Sequence, residues 1–100
     1  MNHFTNKKGW NAIRARSPWR FLAKKPPSNH LRGAYFTTLE PGVPNLARKL
    51  FIPKTKTEYV FPFSDIGDLI PLNGGRGSFI FYSPKDYDVE SSRQGIARRL

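Results

Sequence analysis

The sequence predicts a small α+β domain: a mixed or mainly antiparallel sheet of five or six short strands, with one or two short helices. Three observations predict it. Short aromatic and β-branched runs recur along the chain, each bounded by Gly, Pro, Asn or Ser. Helical spacing holds only over short stretches. The chain has 100 residues, one domain's length, and a chain so short buries only roughly 60–70% of its unfolded surface. Its core must therefore be compact and rich in rings. Aromatics are 14% of the residues, and Trp10, Trp19, Phe21, Phe36, Phe61, Phe63, Phe79 and Phe81 are the expected buried area.

The elements follow in order. His3-Phe4-Thr5 reads as a strand end, and Thr5 or Asn6 suits the N-cap of a helix that places Trp10 and Ile13 inward and Lys7, Lys8, Asn11, Arg14 and Arg16 outward. Ser17-Pro18 ends it. Trp19 to Ala23 alternates as a strand, and residues 24–30 form a loop. The run from Arg32 to Pro41 combines a glycine entry, the strand Ala34-Tyr35-Phe36-Thr37-Thr38 and a proline exit, so it is the expected central strand. Pro44 suits the first turn of a short helix, Asn45 to Leu50, that buries Leu46, Leu50 and Phe51. Thr57 to Phe63 alternates Tyr59, Phe61 and Phe63 against Glu58 and Val60, and Pro62 argues for an edge or a strand end. Ser64 to Pro71 reads as irregular, with Ile66, Leu69, Ile70 and Leu72 folding back on the core. Asn73 to Gly77 is a glycine loop, Ser78 to Tyr82 a strand, and Asp86 to Val89 a last short one. Residues 1–90 make up the domain; 91–100 read as a basic tail, frayed or weakly helical.

The formal charge is +10 and the pI about 10.4. Such a field attracts polyanions and concentrates phosphate-bearing ligands. With no cysteine, disulfides and thiolate metal sites are excluded. His3 and His30 are the only histidines, and no metal site is expected. No apolar run is long enough to span a membrane and the first residues are polar, so the chain is expected to be soluble and intracellular. Nucleophile-elbow and P-loop motifs are absent: the glycine loop at 74–77 lacks the Lys-Ser/Thr ending and precedes a strand.

Three pieces in order carry a family pattern: His3-Phe4-Thr5, then Gly33-Ala34-Tyr35-Phe36-Thr37-Thr38-Leu39, then Gly74-Gly75-Arg76-Gly77-Ser78-Phe79-Ile80-Phe81-Tyr82-Ser83. From His3 to about Val89 the chain resembles the ADP-ribosyltransferase superfamily, in the branch whose signature is a histidine, a tyrosine and an acidic residue on successive core strands. Within it, the chain is most similar to the small HYD-type domains of predicted toxins.

That resemblance implies a glycosyltransferase-class enzyme that uses NAD as a substrate. It would transfer ADP-ribose to a protein or nucleic-acid acceptor, or hydrolyse NAD. It implies that His3 bonds the ribose or the nicotinamide amide, that Thr5 supports the strand end, and that Tyr35 stacks on nicotinamide with Gly33 leaving room. The family's acid aligns at Ser78, which carries no charge. Asp86, with Asp88 and Glu58 as alternatives, is the candidate acid. Arg76 is placed to reach cofactor phosphates, since guanidinium pairs with phosphate as a fork, and Lys24, Lys25 and Arg32 extend the same positive surface. A non-enzymatic reading stands beside this one: a basic module that holds nucleic acid or another polyanion through its cations and the rings of Tyr59, Tyr82 and Tyr87.

Overall fold

A computed structural model describes residues 1–25, 31–64, 67–72 and 79–100. The chain opens with strand β1 (Asn2–Thr5) and helix α1 (Lys7–Arg14). Asn6 caps the helix, its side-chain oxygen accepting from Gly9 N at 3.0 Å. Ile13 is the buried residue of α1, and Trp10 packs at the margin of the core. Strand β2 (Trp19–Phe21) follows and alternates buried, exposed, buried. The expected central strand is β3 (Ala34–Thr37).

Beyond it come α2 (Leu46–Leu50), a 3₁₀ turn at Lys54–Thr57, β4 (Tyr59–Pro62), β5 (Ile70–Pro71), β6 (Ile80–Ser83) and β7 (Tyr87–Val89). The chain then makes a second 3₁₀ turn at Ser91–Arg93 and ends in β8 (Arg98–Arg99). All described strand pairings are antiparallel. One sheet has the order β5-β6-β3-β1-β4-β8, and β2 pairs with β7 in a second. The class is α+β, as composition and period predict.

One face of the larger sheet packs against the β2–β7 pair and α1. Phe36 and Phe61 meet Phe21 edge-on, with centroids 5.2 and 5.9 Å away, and Trp10 stacks on Tyr59 at 4.8 Å. Edge-to-face and offset rings are the favoured aromatic geometries. The core is thus built mainly from rings on facing strands.

Four local expectations change. Val60, read as the wet side of its strand, is completely buried, because the opposite sheet face is covered beside Phe4, its cross-strand partner. The 3₁₀ turn at Lys54–Thr57 packs next to β1 there. None of the α2 residues is buried, and Phe51 is 37% exposed. Part of the stretch from Ser64 to Pro71 is a strand, since Ile70 and Pro71 pair with Tyr82 and Phe81. Finally, the C-terminal segment is not frayed. Arg98 and Arg99 pair with Val60 and Tyr59, while Gly95 N donates to the Pro62 carbonyl at 2.8 Å. Pro62 itself closes β4, as its missing N–H requires.

Candidate functional site at a split in the sheet

The site arises where two neighbouring strands part. β1 and β3 are in register at Asn2↔Thr37 and at no further described pair. That end is tied by a side chain: Asn2 Nδ2 donates to the Leu39 carbonyl at 2.9 Å. On the other side of β3, Thr37 Oγ1 donates to the Phe79 carbonyl at 2.7 Å. Towards Thr5 and Ala34 the ladder lapses, leaving backbone groups in need of partners. His3 supplies one. Its Nδ1–H donates to the Tyr35 carbonyl at 2.9 Å, which fixes the tautomer and leaves Nε2 as an acceptor.

Between the diverging strands lies a cavity of about 640 Å³, a volume within the range of small-molecule sites. His3, Thr5, Gly33 and Tyr35 all line it. The two rings nevertheless belong to opposite sheet faces. His3 pairs with Phe61 and lies 4.7 Å from Phe21 and 5.6 Å from Phe36 on the core side. Tyr35 pairs with Tyr82 on the other side, their rings stacked at 5.6 Å. Only the gap between the strands lets one cavity reach both.

Electrostatics set the character of the cleft. Burial pushes the His3 pKa down from 6.5 to about 4; the bond to the Tyr35 carbonyl opposes this, and the positive charges of Lys56 and Lys24 add to it. His3 is therefore neutral at pH 7. Burial raises the Tyr35 phenol, and Tyr82 adds to the effect. The lining includes Lys8, Arg16, Arg20, Lys24, Lys25 and Lys56, and no carboxylate among the described residues. Arg20 is paired with Asp86 at 3.7 Å and Asp88 at 3.5 Å, whereas the other five have no carboxylate partner among the described residues. The cleft therefore favours an anion.

The remaining candidates fall elsewhere. Asp86 does not line the cavity; its Oδ1 accepts from Ala23 N at 2.8 Å, between the lining residues Leu22 and Lys24. Asp88 and Glu58 also lie outside the lining. Arg32 reaches the Ala23 carbonyl at 3.4 Å and is not part of the wall. Ser78 and Arg76 lie outside the described residues. Gly33 has a different role from the one expected. A Cβ there would meet the Ser83 carbonyl oxygen at 2.8 Å and the Tyr82 ring at 3.2 Å, so the space beside Gly33 is occupied by β6. Tyr59 and Tyr87 are buried at 8% and 6% exposure, which removes both from any open ring surface.

Sequence reasoning missed Lys56, Arg16, Phe51 and Ile52. Phe51 has φ 58° and lines the cleft, a left-handed conformation that is uncommon for a bulky side chain. No local signal marks these residues, because their place in the cleft wall depends on pairing far along the chain.

Fold and site together define a small basic α+β domain with a cation-walled cleft at a break in its main sheet. The chain matches no family model, no curated protein and no solved structure. Among the described residues no helix is long and apolar enough to cross a membrane, and no group of three His, Cys, Asp or Glu could hold a metal ion.

Proposed function

We propose that this chain is an NAD-binding domain of the ADP-ribosyltransferase kind and that NAD occupies the cleft between β1 and β3. The observation that carries the reading is the split itself: a cavity of about 640 Å³ lined by cations and aromatic rings, with no carboxylate among its described lining residues. NAD has a pyrophosphate and two flat bases. Arginine matches phosphate oxygens as a fork and lysine as a point charge, while aromatic faces suit the bases. Neutral His3 can accept at Nε2 from a ribose hydroxyl or the nicotinamide amide, because Nδ1 is already committed.

The chemistry implied is cleavage of the bond between nicotinamide and ribose, with ADP-ribose passing to a macromolecular acceptor or to water. Its oxocarbenium-like state calls for a negative charge nearby. In this reading Asp86 supplies it, and must first give up its bonds to Ala23 N and Arg20. The geometry thus supports binding more directly than transfer.

Thermal melting of the purified chain with millimolar NAD, alongside nicotinamide release, tests both levels. A rise in Tm that is lost in Lys56→Ala and His3→Ala supports the cleft as the site. Release that also requires Asp86 supports the transferase. A Tm that NAD leaves unmoved removes the reading.

A further inference from the structure

A second surface, which shares Tyr35, Lys24 and Lys25 with the cleft wall but adds Tyr82 and Ile70, lies on the sheet face opposite His3. β3, β6 and β5 present Tyr35, Tyr82 and Ile70 side by side there, because Tyr35 pairs with Tyr82 and Tyr82 with Ile70. The two tyrosine rings are stacked at 5.6 Å with an interplanar angle of 21°, both are partly exposed, and Ile70 is 42% exposed. Rings of this kind usually belong in a core; here the two stand partly exposed, each covering one face of the other.

Cations border that surface. A Cβ on Gly33 would stand 3.2 Å from the Tyr82 ring and 3.5 Å from the Tyr35 ring, so Gly33 lies against both. Lys24 is joined to Gly33 by two backbone hydrogen bonds, at 3.0 and 3.1 Å. Exposed Lys24, opposite Gly33 in that bridge, therefore borders the pair, and exposed Lys25 and Arg32 are the chain neighbours of Lys24 and Gly33. The carboxylate close to this border, Asp86, is already paired with Arg20.

We propose that Tyr82, backed by Tyr35 and beside Ile70, is a stacking platform for single-stranded nucleic acid, whose phosphates are taken by Lys24, Lys25 and Arg32. Every base offers a π-face, so stacking on a sheet-borne ring is tolerant of sequence, and a cationic border supplies affinity through counterion release. An acidic protein segment would use the cations but leave the rings idle. The chain's net charge of +10 suits the same ligand.

The test is fluorescence anisotropy with an end-labelled 12-nucleotide single-stranded DNA of mixed sequence, with polyphosphate and poly-glutamate as competitors. Tyr82→Ala should weaken DNA binding roughly tenfold, Tyr82→Phe should preserve it within about twofold, and neither should alter competition by polyphosphate. Lys24→Ala should reduce the slope of log affinity against log salt by about 0.7. Tyr82→Leu, which retains apolar bulk at the position, should weaken binding as Tyr82→Ala does if ring stacking is the cause. Unchanged DNA affinity in a folded Tyr82→Ala or Tyr82→Leu chain would overturn the proposal. Poly-glutamate competing as well as unlabelled DNA would do so too. Tyr82 does not line the NAD cleft, so DNA binding that responds to Tyr82 in a chain without an NAD shift refutes only the NAD reading.

Discussion

His3 fills a gap in a ladder, and its burial there holds it neutral. Burial and the repulsion of Lys56 and Lys24, opposed by its Nδ1–H bond to the Tyr35 carbonyl, place its pKa at about 4 in the fold against 6.5 when unfolded. The unfolded chain therefore takes up this proton more readily. The contribution is fully present above pH 6.5 and is lost as pH falls towards 4, by on the order of 3 kcal/mol at the low end. Urea unfolding from pH 7.5 to 4 should show wild type losing that much more stability than His3→Gln, which keeps a side-chain N–H but no titrating group. Parallel profiles for the two proteins would refute the account.

At the scale of elements, the wall of the cleft depends on how closely α1 lies on β1. Gly9 sets that distance, since a Cβ there would come within 2.0 Å of Thr5 Oγ1. Gly9→Ala should gain helix propensity of up to about 1 kcal/mol yet lose more, a net destabilisation of roughly 1–3 kcal/mol, because Thr5 is short, buried and part of β1. Adding Thr5→Ser would keep the clash, whereas adding Thr5→Ala removes Oγ1 and should restore part of the loss. A Gly9→Ala chain as stable as wild type would mean that α1 can shift without cost. The cap on α1 was readable because Asn6 and the Trp10–Ile13 spacing are local. The exposure of α2 was not, since Leu50 at its end and Phe51 just beyond it face a cleft rather than a core.

Across the whole molecule, the C-terminal segment closes the main sheet. Arg93 lies over the rings of Phe63 and Tyr87 at 5.7 and 5.3 Å and donates from Nε to the Ser64 carbonyl at 3.0 Å. Gln94 Nε2 donates to the Val89 carbonyl at 2.8 Å, and Leu100 N to the Glu58 carbonyl at 2.7 Å. At roughly 0.5–1.5 kcal/mol for each hydrogen bond, ending the chain at Glu90 should cost about 2–4 kcal/mol. It should also lead to association, because β4 becomes a bare edge. Equilibrium unfolding and light scattering check both effects; a truncated monomer of unchanged stability would restore the picture of a frayed tail.

The sequence by itself determined the α+β class, the ring-rich core, the position of α1 and the positive field. All of these follow from composition and from periods of 2 or 3.6 residues, which are properties of neighbours in the chain. It also singled out His3, Thr5, Gly33 and Tyr35, which the fold brings to one cavity. Only the tertiary structure decided that β1 and β3 separate after Asn2↔Thr37, that the His3 and Tyr35 rings fall on opposite sheet faces, that Lys56 faces His3, and that β8 covers β4. Register and strand partner are set by hydrogen bonds and packing between segments tens of residues apart, and no local pattern encodes which of the possible pairings the whole chain can satisfy at once.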